Sequence, residues 1–315
     1  MTAIRPATSA DYSALATLMT QIRPTVPHTA DNLHHADTVR DPQCQHLYLI
    51  AEQDTQAVGY ALFTQYADLY QPGKFWMQLG VALDFRQRGI GSALFDALLA
   101  HLVDYQPRQL LAHVNEPNTV GLAFARDRGF VEYSRRYESV LEVNAFDTEA
   151  YQGLFDKLLA SNLHFRSVTD LADDPQRDEK LYRLYNAVDG DVPMDDAITP
   201  LTIDQWHKQV LGFPGFHPDG SIIALDKNRY VALSWLVQYA PDMLYVDLTG
   251  TLPEYRRRGI GTAVKVKGIE YAKRVGIPRI GVTNDINNTG MLALNEGMGF
   301  VRKPARIMLK KTFLV

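Results

Sequence analysis

Arg256-Arg257-Arg258-Gly259-Ile260-Gly261-Thr262-Ala263 repeats, 170 residues on, the stretch Arg86-Gln87-Arg88-Gly89-Ile90-Gly91-Ser92-Ala93. The register extends downstream, where Asn118 recurs as Asn288 and Gly129-Phe130 as Gly299-Phe300, all at that same offset. One R-x-x-G-x-G stretch arises by chance. Two copies, each followed at equal distance by Asn and then Gly-Phe, mark a tandem duplication. So long a period belongs to complete domains, since solenoid repeats span about 20–50 residues. The reading is an N-terminal domain over 1–146, a linker helix over 147–162 and a C-terminal domain over 163–315, in keeping with roughly 150 residues per domain.

The bulk properties are those of a soluble globular chain: 315 residues, 46% hydrophobic, 22% charged, formal net charge −4. That balance offers no bulk attraction for nucleic acid or an anionic membrane, so neither is expected as a partner. No apolar run nears the ~20 residues of a membrane span. Met1-Thr2-Ala3-Ile4-Arg5-Pro6 lacks the charged-then-apolar order of a secretion signal. The single cysteine, Cys44, forms no intrachain disulfide, and a cytoplasmic location is expected. His28, His34, His35 and His46 have no metal-ligand spacing, so no metal is expected. Nothing here sets an oligomeric state.

Strands and helices alternate around the repeat. In the first half, strands are expected at Ile4–Ala7, His46–Ala51, Ala57–Phe63, Phe75–Leu83, Gln109–Val114 and Tyr137–Val143. Helices are expected after the Ser9-Ala10-Asp11 cap and over Ile90–Val103 and Thr119–Arg128. A helix over Asp147–Ser161 joins the halves. In the second half, strands are expected at His164–Val168, Ser221–Leu225, Tyr230–Tyr239, Met243–Leu252, Arg279–Val282 and Ala305–Lys310. Helices are expected at Gln176–Val188, Ile203–Leu211, Ile260–Val275 and Gly290–Gly297. Hairpins among the early strands make each half α+β, with a mixed sheet flanked by helices. A doubly wound dinucleotide fold would carry its glycine loop near the start of the domain, whereas here it lies in the middle.

Between a strand and a helix, Arg-x-x-Gly-x-Gly does something definite. The glycines permit positive φ and remove Cβ, so backbone N–H groups converge on one point. The helix beginning near Ile90 or Ile260 adds uncapped donors and the positive end of its dipole. Arg86, Arg88, Arg256 and Arg258 add charge. No Lys-Ser/Thr pair follows the glycines, so a P-loop with its magnesium is disfavoured. The expected ligand is a pyrophosphate.

These turns resemble the coenzyme A pyrophosphate loop, R/Q-x-x-G-x-G/A, of the GNAT superfamily of N-acetyltransferases. Val81-x-Leu83-x-x-Arg86 is similar to the family's approach strand, with Leu83 in place of the usual proline. Thr251-x-Pro253-Glu254-Tyr255-Arg256 keeps the proline and is the closer match. Ile4-Arg5-Pro6-Ala7-Thr8 through Asp11 resembles the family's opening. The chain thus looks like a tandem two-domain member, the architecture also found in mycothiol synthase. The stretch from Thr283-Asn284-Asp285 to Gly299-Phe300 resembles bacterial tandem acetyltransferases of unassigned substrate.

The resemblance implies two splayed sheets with acetyl-CoA as co-substrate. Its contacts would come from Val81, Leu83, Arg86, Arg88, Gly89, Ile90, Gly91, Ser92 and Asn118 in the first half. In the second they would come from Thr251, Pro253, Arg256, Arg258, Gly259, Ile260, Gly261, Thr262 and Asn288. Asn118 and Asn288 suit helix N-caps equally well, and the two roles are compatible. The acceptor implied is an amine of a small molecule or peptide.

Catalytic groups are less plainly written. Many family members place a tyrosine acid seven residues after the asparagine, and these slots hold Ala125 and Asn295. Asn295 can hydrogen-bond to a thiol or a water without being an acid. Asp247, with Tyr245 and Thr249 on the same face by alternation, is the candidate base, acting directly or through a water. Met77 occupies its place in the first half, so the second half is favoured as the active one. A structural carboxylate and a core tyrosine are the competing readings of Asp247 and Tyr245. The acidic run from Asp189 to Asp196 suits either a solvated loop or the pocket for a cationic amine. Lys265 and Lys267 either reach the coenzyme's 3′-phosphate or lie exposed on their helix. The missing tyrosines leave open a non-catalytic acyl-CoA sensor.

Overall fold

Both glycine turns follow a strand that leaves its parallel neighbour part-way, and this divergence opens a cleft beside each. The computed structural model describes residues 2–23, 28–192 and 200–313. In chain order the elements begin β1 (Ala3–Pro6), α1 (Tyr12–Ile22), α2 (Ala30–Thr38), β2 (His46–Gln53), β3 (Gln56–Thr64) and β4 (Lys74–Val81). There follow α3 (Ile90–Leu102), β5 (Gln109–Asn115), α4 (Thr119–Arg126) and β6 (Val131–Glu142). Next come α5 (Gln152–Ala160), β7 (Leu163–Ser167), α6 (Arg177–Asp189), α7 (Ile203–Trp206), β8 (Ile222–Asp226), β9 (Arg229–Ala240) and β10 (Met243–Thr251). The chain closes with α8 (Ile260–Arg274), β11 (Arg279–Asp285), α9 (Thr289–Gly297), β12 (Val301–Arg302) and β13 (Arg306–Thr312). No described helix is long and apolar enough to cross a membrane.

Two compact units emerge, one of residues 2–134 with 306–313 and one of 135–192 with 200–305. In the first, β1 to β4 form an antiparallel run in sequence order. β4 then pairs parallel with β5, but only over Lys74–Trp76 against Gln109–Leu111. Beyond Trp76 the strands diverge. The outer side of β5 is taken by β13, antiparallel from Arg306 against Asn115 to Thr312 against Gln109. Leu15, Leu18 and Met19 of α1 and Leu33 of α2 pack on Tyr60 and Leu62 of β3. On the opposite face, α3 brings Ile90 and Leu94 onto Gly59, where a Cβ would lie 2.9 Å from the Leu94 side chain.

The second unit repeats the scheme. β7, β8, β9 and β10 are successively antiparallel, and β10 pairs parallel with β11 over Met243–Val246 against Arg279–Val282. Residues 136–142 of β6 lie antiparallel on the other side of β11, with β12 also on β6. α8 fills one face with Ile260, Ala263, Val264, Val266, Ile269 and Ala272, together with Phe155 and Leu158 of α5. On the other face Trp206 and Trp235 meet the rings of Tyr185 and Phe216.

Three departures from the sequence reading have physical causes. α2 was not expected: its residues Ala-Asp-Asn-Leu-His-His-Ala-Asp-Thr bury only Leu33, so no apolar stripe signals it. Thr29 sets its start by accepting from Asn32 N at 3.1 Å. The helix expected over Ile203–Leu211 is α-helical to Trp206 and then widens to a π-helix over His207–Leu211. Third, the strands closing each copy of the repeat, around Tyr137–Val143 and Ala305–Lys310, pair with β11 and β5 respectively.

Candidate active site

The second glycine turn is built around Arg256. After β10 the chain makes a short 3₁₀ turn over Pro253–Tyr255 and then extends at Arg256, whose Nε donates to the Thr251 carbonyl at 3.0 Å. That bond folds the turn back on its own strand. Arg257 adopts φ +60° and Gly259 φ +83°, a left-handed conformation that glycine takes without strain. Gly259 is the N-cap of α8 and offers no side-chain cap, so the first donors of the helix face outward. A Cβ at Gly261 would meet only Thr251 Oγ1, at 3.6 Å, and the backbone there stays open to approach.

The opening is a cavity of about 570 Å³. Its walls include Thr249, Gly250 and Thr251 of β10, the turn with Tyr255, Arg256, Arg257, Gly259, Ile260, Gly261 and Thr262, and Asn288, Met291 and Leu294 around α9. Thr251, Arg256, Gly259, Ile260, Gly261, Thr262 and Asn288 are thus brought together around this one cavity. Pro253 and Arg258 are not in this wall, and Arg258 instead stacks 5.5 Å from the Tyr255 ring centroid. Arg257 and Tyr255, which the motif leaves as variable positions, are in it. Asn288 caps α9 by accepting from Met291 N at 3.3 Å. Asp191, from the acidic run, forms an ion pair with Arg256 and lines the same cavity. Residues 193–196 of that run lie outside the described residues.

The first turn has the same skeleton. Arg86 Nε donates to the Val81 carbonyl at 2.9 Å, Gln87 takes φ +60° and Gly89 φ +80°. Arg88 donates to the Asp84 carbonyl at 2.7 Å, and Asn118 caps α4 through Gly121 N at 2.9 Å. The surroundings differ. A Cβ at Gly91 would face the Phe124 ring at 3.5 Å, and Arg128 lies over that ring while donating to Ser92 Oγ at 2.7 Å. Leu83 is 75% exposed.

On the strands, the two halves part company. Pairing of β9 with β10 slips between Val246 and Leu248, so Asp247 is an extra residue at a β-bulge. Pairing of β3 with β4 runs without a slip from Gly59 against Val81 to Thr64 against Trp76, and Met77 is buried. The bulge breaks the period-two alternation: Tyr245 lies opposite Val237 and Thr249 opposite Ser234, which are on opposite faces of β9. Thr249 therefore does not share a face with Tyr245. Asp247 is exposed. Tyr245 donates its hydroxyl to Glu138. Burial, with the Asp247 and Tyr245 charges adding to it, raises the Tyr239 hydroxyl well above the ordinary tyrosine range.

Asn295 is buried, 1% exposed, and its Nδ2 donates to Asn284 Oδ1 at 2.7 Å. It does not line the cavity, whereas Met291 and Leu294 of the same helix do. Lys265 is not on the helix surface: it is 2% exposed, its ammonium 5.1 Å from the Phe300 ring centroid, and burial pushes it down to about 7. Lys267 is ion-paired with Glu270 at 2.8 Å.

The family model for the acetyltransferase (GNAT) family matches this chain twice, over residues 12–130 and 180–300. A mycothiol acetyltransferase of Arthrobacter sp. (strain FB24) is 24% identical over 263 residues, 79% of this chain and 73% of that protein. One from Acidothermus cellulolyticus is 23% identical over 294 residues, 89% of this chain and 83% of that protein. Among solved structures, a tandem GNAT protein from the clavulanic acid biosynthesis pathway superposes with a TM-score of 0.74 at 14% identity, covering 99% of this chain and 98% of that one. A GCN5-related N-acetyltransferase from Sphaerobacter thermophilus gives 0.71 at 15% identity, covering 99% and 95%. At such identities the structural likeness speaks for the fold.

Proposed function

Since the chain belongs to the acetyltransferase (GNAT) family and is an N-acetyltransferase of tandem architecture, we propose that it carries the acetyl group of acetyl-CoA to an amine of a small molecule or peptide in the cleft of its second half. Use of acetyl-CoA is a property of the family. The location rests on one observation above all: the second half sets beside the cavity-lined glycine turn a strand with a carboxylate at a bulge, Asp247, where the parallel strands part, and Met77 holds that place in the first half.

In this reading the donors of the α8 N-terminus and the guanidinium groups of Arg256 and Arg257 hold the pyrophosphate. The phosphates displace the Asp191 carboxylate, which occupies an anion's place on Arg256. The pantetheine arm runs along β10 from Thr251 toward the bulge. Asp247 accepts a proton from the incoming ammonium, directly or through one water, and leaves a neutral amine. The amine nitrogen attacks the thioester carbonyl, and backbone N–H groups of β10 stabilise the oxyanion. As the C–S bond breaks, the proton still on that nitrogen balances the departing thiolate, giving amide and free thiol. No tyrosine is required for that balance, which fits Asn295 in its slot. The first turn keeps the donors for a pyrophosphate and contributes little to turnover.

A thiol-release screen of acetyl-CoA against amines, amino acids and peptides tests this. Release that depends on one amine class supports transfer. Tight binding of acetyl-CoA with no release across the panel would favour a sensor instead.

A further inference from the structure

Arg23 follows the last residue of α1 and reaches across the gap where β4 and β5 diverge. Its Nη1 donates to Gln78 Oε1 at 3.0 Å, and its Nη2 lies 3.0 Å from His113 Nε2. Accepting there makes His113 neutral, since a guanidinium only donates. Tyr60, Arg306 and Tyr66 are among the groups near Arg23. Arg306 lies opposite Asn115, two residues from His113, and so falls on the same face. A second cation thus joins the first.

Among the described residues, the strands and the helix that flank this gap contribute no acid to neutralise them. α1, β3, β4, β5 and β13 hold neither Asp nor Glu. Two buried nitrogens on this side also lack a hydrogen-bond partner among the described residues, Trp76 Nε1 and His28 Nε2. Trp76 precedes Gln78 by two residues on β4 and faces the same way. An indole N–H can only donate, so it calls for an acceptor. Half-burying a guanidinium among neutral partners and leaving donors unmet is costly unless an anion completes the set. At the matching places of the second half stand Val246, Leu248 and Thr283. The cluster is therefore no part of the machinery the two halves share.

The geometry points to an oxyanion site in the gap between β4 and β5 of the first unit, where Arg23, with Arg306, Trp76 and His28, takes a small molecule through its carboxylate or phosphate group. The guanidinium supplies charge and a planar donor edge, and the indole and imidazole supply single donors to the remaining oxygens. A ligand held here is bound by these side chains and not by the backbone donors of either glycine turn.

The test uses the full chain in an anion-poor buffer, titrated separately with potassium glutamate and potassium phosphate. The readout is the indole N–H resonance of Trp76, assigned with Trp76→Phe, since phosphate also suits the glycine turns. Saturable movement of that resonance by one salt and not the other identifies the oxyanion class. Arg23→Gln should weaken the response at least about tenfold, as expected for removing a charge-assisted partner. The same variant should unfold at an equal or higher temperature than wild type in the anion-poor buffer, because an unneutralised charge is gone. No saturable response to either salt overturns the proposal. So does an Arg23→Gln variant that responds like wild type, or one destabilised equally with and without anion, which would make Arg23 a strut.

Discussion

Lys265 places its ammonium 5.1 Å from the centroid of Phe300, buried and with no hydrogen-bond partner among the described residues. The first copy of the repeat sets Phe95 edge-on to Phe130 at the same place, with centroids 6.2 Å apart. A second exchange accompanies it: Ala125 in the first half becomes Asn295, whose Oδ1 is likewise buried without a partner among the described residues. An apolar packing site has thus become one with a cation, an amide and a ring.

This burial makes stability depend on pH. Unfolded, Lys265 keeps its proton up to about 10.5, and folded it does so only below about 7. Between those values the unfolded chain holds the extra proton, so stability rises with pH through that window. The penalty is full below pH 7 and gone above 10.5. Lys265→Met should therefore be more stable than wild type at pH 7 by ~2–4 kcal/mol. Urea unfolding of both proteins at pH 7 and pH 9.5 should show the gap narrowing. A gap independent of pH would mean that the ammonium carries no such penalty.

Asp247→Asn keeps size and hydrogen bonding and removes basicity. Turnover should fall roughly 10²–10⁴-fold, and the acidic limb of the pH–rate profile should vanish. An unchanged profile would give Asp247 a structural role at the bulge.

The two glycine turns should differ in consequence. Gly261→Asp puts a carboxylate beside Thr251 in the cavity, and it should abolish activity and greatly weaken acetyl-CoA binding. Gly91→Asp, beside Phe124, should lower stability or coenzyme stoichiometry and leave most activity. Calorimetry and turnover at saturating acetyl-CoA measure both. Full activity in the Gly261 variant and none in the Gly91 variant would reverse the assignment of the working half.

Asp191→Asn frees Arg256 from its carboxylate. Acetyl-CoA affinity should rise about two- to fivefold at low salt, the scale of one exposed ion pair, and the gain should shrink as salt is added. Equal affinities at low salt would place Asp191 outside the phosphate site.

Much of this was legible without coordinates. The Arg-x-x-Gly-x-Gly copies located both turns because only a few residue types allow a left-handed residue before an open helix start, and Gly89 and Gly259 take φ +80° and +83°. Asn118 and Asn288 were readable as N-caps because asparagine at that point has a short acceptor over the first turn. Asp247 stood out because Met77 holds its place in the other copy. Its bulge did not, since a slip of one residue lies in the pairing with β9 and leaves no mark on β10 alone. The wall residue Leu294 carries no motif, and an apolar side chain in a cleft reads like any core.

What the sequence determined by itself was local: the duplication, the two turns, their caps and the alternation of strands and helices. These follow from backbone freedom, side-chain periodicity and copying. What the tertiary structure decided was which distant groups meet. β13 lies on β5 and residues 136–142 lie on β11, so each compact unit is closed by a strand from the other copy. The two copies present similar strand edges, and backbone hydrogen bonds accept any strand of suitable length, so a strand's pattern does not name its partner. The same holds for Arg23 with His113 and Lys265 with Phe300. A charge in a sequence declares its sign, and only the fold decides whether water, a carboxylate or an aromatic ring surrounds it.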